Sequence, residues 1–245
     1  MMFHGSTMHG TQYIDPERSY IPLSYYHPKS PPAQLLINEH QYKNIGMIGL
    51  GTGALAMYGQ PHQRVDFYEL DPDVLAIAKT HFSYLDQART QIQYMIQDGR
   101  IALEENADAH YDIIIVDAFS GNSVPVHLLT RECLDLYFRR STEQGVVLFH
   151  LANRYVNLPL AFVRTAASMD AYIAYKHDGH LGSDWTAVTR DSLVYYRLIH
   201  DYGWTPVNKE NHQKARPWTD GYSNIIPYFF RLEVLSSMFE RWDIR

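Results

Sequence analysis

One cysteine, Cys133, is all the thiol this 245-residue sequence holds. It cannot close an internal disulfide, and among the apolar neighbours of "TRECLDLYF" it reads as a core side chain rather than a nucleophile. Long apolar runs are lacking as well. No stretch approaches the ~18 to 20 uninterrupted apolar residues needed to cross a bilayer. The first residues, "MMFHGSTMHGTQYIDPERSY", show neither the basic nor the apolar region of a secretory signal. A soluble, cytoplasmic protein without a membrane partner is expected. Basic charge is short: 21 Lys and Arg face 27 Asp and Glu, for a formal net charge of −6. That balance argues against a nucleic-acid partner, which would need a positive surface, and it is compatible with a cationic ligand. Metal-ligand patterns are missing too. There are 13 histidines, but the pairs His4/His9 and His177/His180 have neither helical i, i+4 spacing nor a carboxylate in a known ligand pattern. No metal is expected.

What is present is alternation. The β-type runs "NIGMIGL", "RVDFYEL", "IQYMIQ", "YDIIIVD" and "GVVLFHL" are interleaved with the small-residue stretch "GTGALAMYG" and the helical patterns "DPDVLAIAKTHF", "GRIALEE", "TRECLDLYFRR" and "LPLAFVRTAAS". Apolar strands each followed by a helix specify a mostly parallel, doubly wound sheet covered on both faces. "AYIAYKH" and "WTAVTR" are expected to complete an antiparallel edge. Residues 1–40 differ: "FHGSTMHGTQYI" reads as a hairpin and "HPKSPPAQ" as a proline-rich turn. The expected organisation is a small N-terminal β region, 1–40, followed by one catalytic-type α/β domain, 41–245. The segment from about 204 to 230 is expected to be irregular.

Three features gather at strand ends. "GLGTG" places Gly49, Gly51 and Gly53 after the first strand of the sheet, where backbone without side chains approaches a ligand closely. Glu69 ends the second strand about 20 residues on, placed to accept ribose hydroxyl protons. Asp98 ends the third in "QDGR", placed to accept from an exocyclic amino group. Capping of the helices that follow is the plainer use of both acids. Ala56 can replace the third glycine of a dinucleotide fingerprint, which leaves NAD open. An acid after each of strands two, three and four better suits an adenosyl sulfonium, which is cationic and carries no phosphate. The fourth-strand acid is Asp117.

The motifs "HGTQ", "PLSYY", "GLGTGALA", "YELDP", "QDGR", "VDAFSGNSVPVHLLT", "HLANRYVNL" and "WTDGYSN" run in order along nearly the whole chain. On these the sequence resembles the spermidine synthase family, most closely its divergent spermidine synthase-like branch. That branch is often fused to transporter segments, of which these residues show none. The resemblance implies a Rossmann-like class I methyltransferase fold with a small N-terminal β appendage, and it implies a homodimer. The implied ligand is decarboxylated S-adenosylmethionine, S-adenosylmethionine or methylthioadenosine. Carried over, Gln12 and Glu69 hold ribose, Asp98 and Gly99 hold adenine, Leu70 packs on the base, and Asp117 lines the reaction centre.

On the reaction side the family pattern thins. Transfer of an aminopropyl group displaces a neutral thioether by an amine. A free alkyl amine, with a pKa near ~10, is mostly protonated at neutral pH, so carboxylates anchor one ammonium and accept a proton from the attacking nitrogen. The family's second acid, three residues after the first, is Ser120 here. The branch's later acid is Asn122, and its paired C-terminal acids are Asp220 and Gly221. Asp220 is the remaining candidate for a second acid. Tyr25, Tyr26, Trp218 and Tyr222 are candidates for an aromatic cation pocket. Three readings follow: an aminopropyltransferase-like enzyme with a small-molecule amine acceptor, a methyltransferase using S-adenosylmethionine, and a non-catalytic adenosyl-ligand binder.

Overall fold

The apolar runs form one eight-stranded sheet. In the computed structural model, which describes residues 1–4, 7–119, 124–153, 155–179, 182–212 and 216–229, five strands lie parallel: β3 (Asn44–Ile48), β4 (Arg64–Glu69), β5 (Gln91–Ile96), β6 (Tyr111–Val116) and β7 (Ser141–His150). β8 (Tyr172–Asp178) and β9 (Ser183–Thr189) form the expected antiparallel pair, with β9 antiparallel to β7. A two-residue β10 (Thr205–Pro206) closes that edge. Across the sheet the order is β10-β8-β9-β7-β6-β3-β4-β5. The chain therefore winds outward from β3 through β4 to β5, then returns to β6 on the opposite side of β3. That reversal opens a crevice beyond the carboxyl ends of β3 and β6, the place where such sheets receive ligands.

Both faces are covered. On one, Phe67 of β4 and Trp185 of β9 share a core with Leu35 and Leu36. On the other, Ile114 and Val116 of β6 meet Leu134 of α5 (Arg131–Arg139) and Phe162 of α6 (Leu158–Ala166). Ile113, Ile114, Ile115 and Val116 are fully buried, which explains why "YDIIIV" is apolar without alternation. Burial of each stabilises the fold by about 1.5–3 kcal/mol relative to exposure. α2 (Pro72–His81) starts at Asp71, whose carboxylate accepts from the Asp73 amide, with proline in the first turn, and the one-turn α3 (Tyr84–Gln87) follows it. Cys133 is buried, and that burial pushes its thiol up to about 12. It is a core side chain.

One local expectation is corrected, and two elements go beyond the expectations. "HPKSPPAQ" is not only a turn: α1 (Pro31–Asn38) begins within it. Proline at the first helical position has no amide to waste and a φ already set for the helix. Leu35 and Leu36 then carry α1 onto the main core. The stretch after the glycine loop forms only a short 3₁₀ turn, Ala54–Tyr58, ended by Gly59 and the "QP" that follows. A helix absent from the expectations, α7 (Ser192–His200), follows β9; Asp191 caps it by accepting from the Leu193 and Val194 amides, and Val194 and Leu198 bury one face. The N-terminal hairpin is present, with β1 (Met2–His4) antiparallel to β2 (Thr7–Gly10). A Cβ on Gly10 would lie 2.5 Å from the Thr52 hydroxyl oxygen, so the hairpin rests directly on the glycine loop.

Candidate functional site

The glycine loop is built by close approach. Gly49 has φ +95°, and a Cβ there would sit 2.4 Å from the Asp117 carbonyl oxygen. Only a residue without a side chain lets the ends of β3 and β6 lie this close. A cavity of about 240 Å³ opens at this point. Gly49, Gly51, Glu69, Leu70, Asp98, Gly99 and Asp117 all line it, together with Met2 and His9 of the hairpin.

Each acid is held by defined donors. Glu69 accepts from the Leu50 amide on one oxygen and the Asp71 amide on the other, both at 3.0 Å. It thus bridges the glycine loop to the start of α2. Asp98 caps α4 (Gly99–Glu105), accepting from the Arg100 and Ile101 amides through one oxygen. Its other oxygen lies 3.0 Å from Nε2 of His127. Capping and ligand-facing use therefore coexist at Asp98, because a carboxylate has lone pairs for both. Leu70 is 69% exposed, an apolar surface open at the cavity mouth.

Asp117 is different. Its side chain is only 7% exposed. Tyr26 donates its hydroxyl to one carboxylate oxygen at 2.5 Å, and His150 contributes Nδ1 to the other at 2.7 Å. Burial, and then repulsion from Asp117, hold the Tyr26 phenol well above its ordinary pKa, so it remains a donor. The His150 ring stacks on Trp185 with centroids 4.5 Å apart and planes within 5°. Phe119 meets it edge-on at 5.0 Å. Sequence reasoning singled out neither His150 nor its contact with Asp117. The available signal was a polar residue ending the apolar run "GVVLFH", the same signal that marked Asp117.

Several expected site residues stand apart from the cavity lining. The Gln12 side-chain amide donates to the Ser19 carbonyl and the Ser83 hydroxyl, and its oxygen accepts from the Ser83 amide. It lines a separate hollow with Tyr13, Phe82 and Ser83. A Cβ on Gly53 would meet Leu85 at 2.4 Å, so this glycine serves packing of the 3₁₀ turn. The Tyr25 hydroxyl donates to the Met8 carbonyl at 2.5 Å, fixing the hairpin; burial, reinforced by Asp117, raises its pKa. Asp220 is gripped at both oxygens by Arg100, at 2.8 and 2.6 Å, and also accepts from the Thr130 hydroxyl. Arg100 holds its carboxyl below the usual aspartate range. Trp218 is buried in the core, its indole donating to the Asn224 carbonyl, while Tyr222 lies under the Arg216 guanidinium. Ser120 and Asn122 lie outside the described residues, as does His180.

The lining has one electrostatic sign. Glu69, Asp71, Asp98 and Asp117 contribute to it, and no Lys or Arg does among the described residues. In a site of effective dielectric ~20, a cation ~6 Å from one carboxylate is attracted by about 3 kcal/mol, whereas a phosphate would be repelled.

No protein-family model matches the chain. The chain is 34% identical over 137 residues to a polyamine aminopropyltransferase of Vibrio vulnificus, a match covering 53% of this chain and 44% of that relative. It therefore spans less than half the length of this curated relative. Its fold is similar to that of a probable spermidine synthase from Corynebacterium glutamicum, with a TM-score of 0.55 and 19% identity over 79% of this chain and 78% of the other. It is also similar to human methyltransferase-like protein 13 in complex with SAH, with a TM-score of 0.51 and 19% identity over 84% and 92% of the two chains. The fold is the Rossmann-like class I methyltransferase fold with a small antiparallel N-terminal sheet.

Proposed function

We infer that this chain, which is spermidine synthase-like, binds decarboxylated S-adenosylmethionine and transfers its aminopropyl group to an amine. The observation that carries this reading is the acid-lined cavity at the switch point between β3 and β6, with the glycine loop on one wall. In this reading Glu69 holds ribose and Asp98 holds adenine. Asp117 stands at the reaction end, where the sulfonium charge favours a carboxylate. The electrophile arrives activated, so the protein's contribution is to position the two reactants and manage a proton.

A methyltransferase reading has support in the fold shared with methyltransferase-like protein 13. S-adenosylmethionine, however, carries a carboxylate. Among the described residues no Lys or Arg lines the cavity to receive it, and four acids do line it. The decarboxylated donor suits that field better.

Calorimetry with methylthioadenosine and with both forms of the donor tests the reading, followed by turnover with a panel of monoamines and diamines. Tighter binding of the decarboxylated donor and formation of methylthioadenosine are expected. Strong preference for the carboxylated form, with methyl transfer, would overturn it.

A further inference from the structure

Resting on that aminopropyl-transfer reading, we propose that His150 is the catalytic base that takes the acceptor's proton, with Asp117 acting through it as a positioning residue. His150 ends β7, next to the end of β6 that carries Asp117. Its side chain is 4% exposed. Nδ1 lies 2.7 Å from Asp117. A carboxylate accepts only, so Nδ1 carries the hydrogen and the lone pair of the neutral ring is on Nε2. Nε2 is buried and has no hydrogen-bond partner among the described residues. Buried polar atoms are nearly always paired, and an orphan calls for an explanation such as a catalytic role or a bound water.

The ring cannot turn away to repair this. Trp185 stacks flat on it, and Phe119 and Tyr25 approach at 5.0 and 5.1 Å. Phe119 and Asp117 themselves line the cavity, so the imidazole sits immediately behind its reaction-end wall. An acceptor N–H relayed through one water supplies what Nε2 lacks. The ionisable groups facing the ring are Asp117 from β6, and Tyr25 and Tyr26 from the 3₁₀ turn Ser24–Tyr26. From β9 comes only the uncharged Trp185. The two phenols stay neutral.

The step balances. The acceptor nitrogen lone pair forms a bond to the aminopropyl carbon as the carbon–sulfur bond breaks. That bonding pair goes to sulfur, and neutral methylthioadenosine leaves. The alkylated nitrogen, now cationic, passes one proton through that water to Nε2, and the imidazolium pairs with Asp117 until water removes the proton. A histidine base thereby fills the role left vacant where the sequence has Ser120 and Asn122 instead of acids.

The test is His150→Asn, whose amide keeps a donor for Asp117 and removes Nε2. A loss of about 10²- to 10⁴-fold in kcat is expected, with methylthioadenosine affinity retained as proof of folding. The acid limb of the wild-type pH profile, where protonation silences a base, is expected to vanish with it. Turnover and acid limb both surviving in the variant would overturn the role of His150 while leaving aminopropyl transfer standing. Nitrogen-15 NMR of the wild-type protein with methylthioadenosine and propylamine decides the matter independently of turnover, and of whether the variant folds. An Nδ1–H tautomer with an Nε2 signal shifted by the amine supports the proposal. An Nε2–H tautomer, or an Nε2 signal indifferent to the amine, refutes it. If wild type transfers a methyl group and no aminopropyl group, it is the functional reading that fails.

Discussion

Arg100 closes a two-pronged ion pair on Asp220 across 120 residues of sequence, at 2.8 and 2.6 Å. It ties the first turn of α4, directly behind Asp98, to the C-terminal "WTDGYSN" segment. The acid that the sequence offered for catalysis is engaged in this pair.

Asp220→Asn should therefore reduce stability and leave turnover within a few-fold. Because the carboxylate is 46% exposed, solvent screening limits the loss to about 0.2–1 kcal/mol. The sign of the pH dependence follows from a depressed folded-state pKa: the contribution is present above the ordinary aspartate value of 3.8 and disappears as pH falls below it through the folded value. Urea midpoints of wild type and variant should differ at pH 7 and converge in acid. A large turnover loss with unchanged midpoint would mean Asp220 reaches the substrate after all.

Glu69→Gln tests the ribose end. The variant keeps one oxygen for the Leu50 or Asp71 amide, but its NH₂ faces the other donor and its charge is gone. Loss of charge-assisted hydrogen bonds of about 1.5–3 kcal/mol corresponds to roughly ten- to hundred-fold weaker binding of methylthioadenosine, read by calorimetry. Unchanged affinity would leave Glu69 only its bridging role.

Asp117→Asn separates binding from chemistry. The amide oxygen still accepts from His150, and its NH₂ can donate to the Tyr26 hydroxyl oxygen, so the fold should hold. Turnover is expected to fall about 10²- to 10⁴-fold with methylthioadenosine affinity nearly constant. Equal loss of both would make Asp117 a structural or ligand-holding residue.

Gly49→Ala probes the meeting of β3 and β6. Its Cβ would stand 2.4 Å from backbone of Asp117 at a φ of +95°, so the strand ends must part. Backbone strain of about 1–3 kcal/mol should lower the melting temperature by several degrees and abolish adenosyl-ligand binding together. Normal binding in the variant would show that the loop is not the ligand wall.

The order of strands and helices was legible because it is written in local patterns: apolar runs between glycine, proline and capping residues, each read within about ten residues. The acids at Glu69, Asp98 and Asp117 were legible for the same reason, as polar residues ending apolar strands. α1 went unread because its prolines look like a turn until the helix begins at them, and α7 because it follows an edge hairpin rather than a parallel strand.

Partners were beyond the sequence. Nothing local says that Asp117 meets Tyr26, 91 residues away, and His150, 33 residues away, or that Gln12 turns to Ser19 and Ser83. Those contacts exist because the sheet lays strand ends side by side and the hairpin folds back over them. A periodic pattern needs only its own segment to be recognised. A hydrogen bond between distant segments is fixed only when burial of the intervening core has brought both ends to one place.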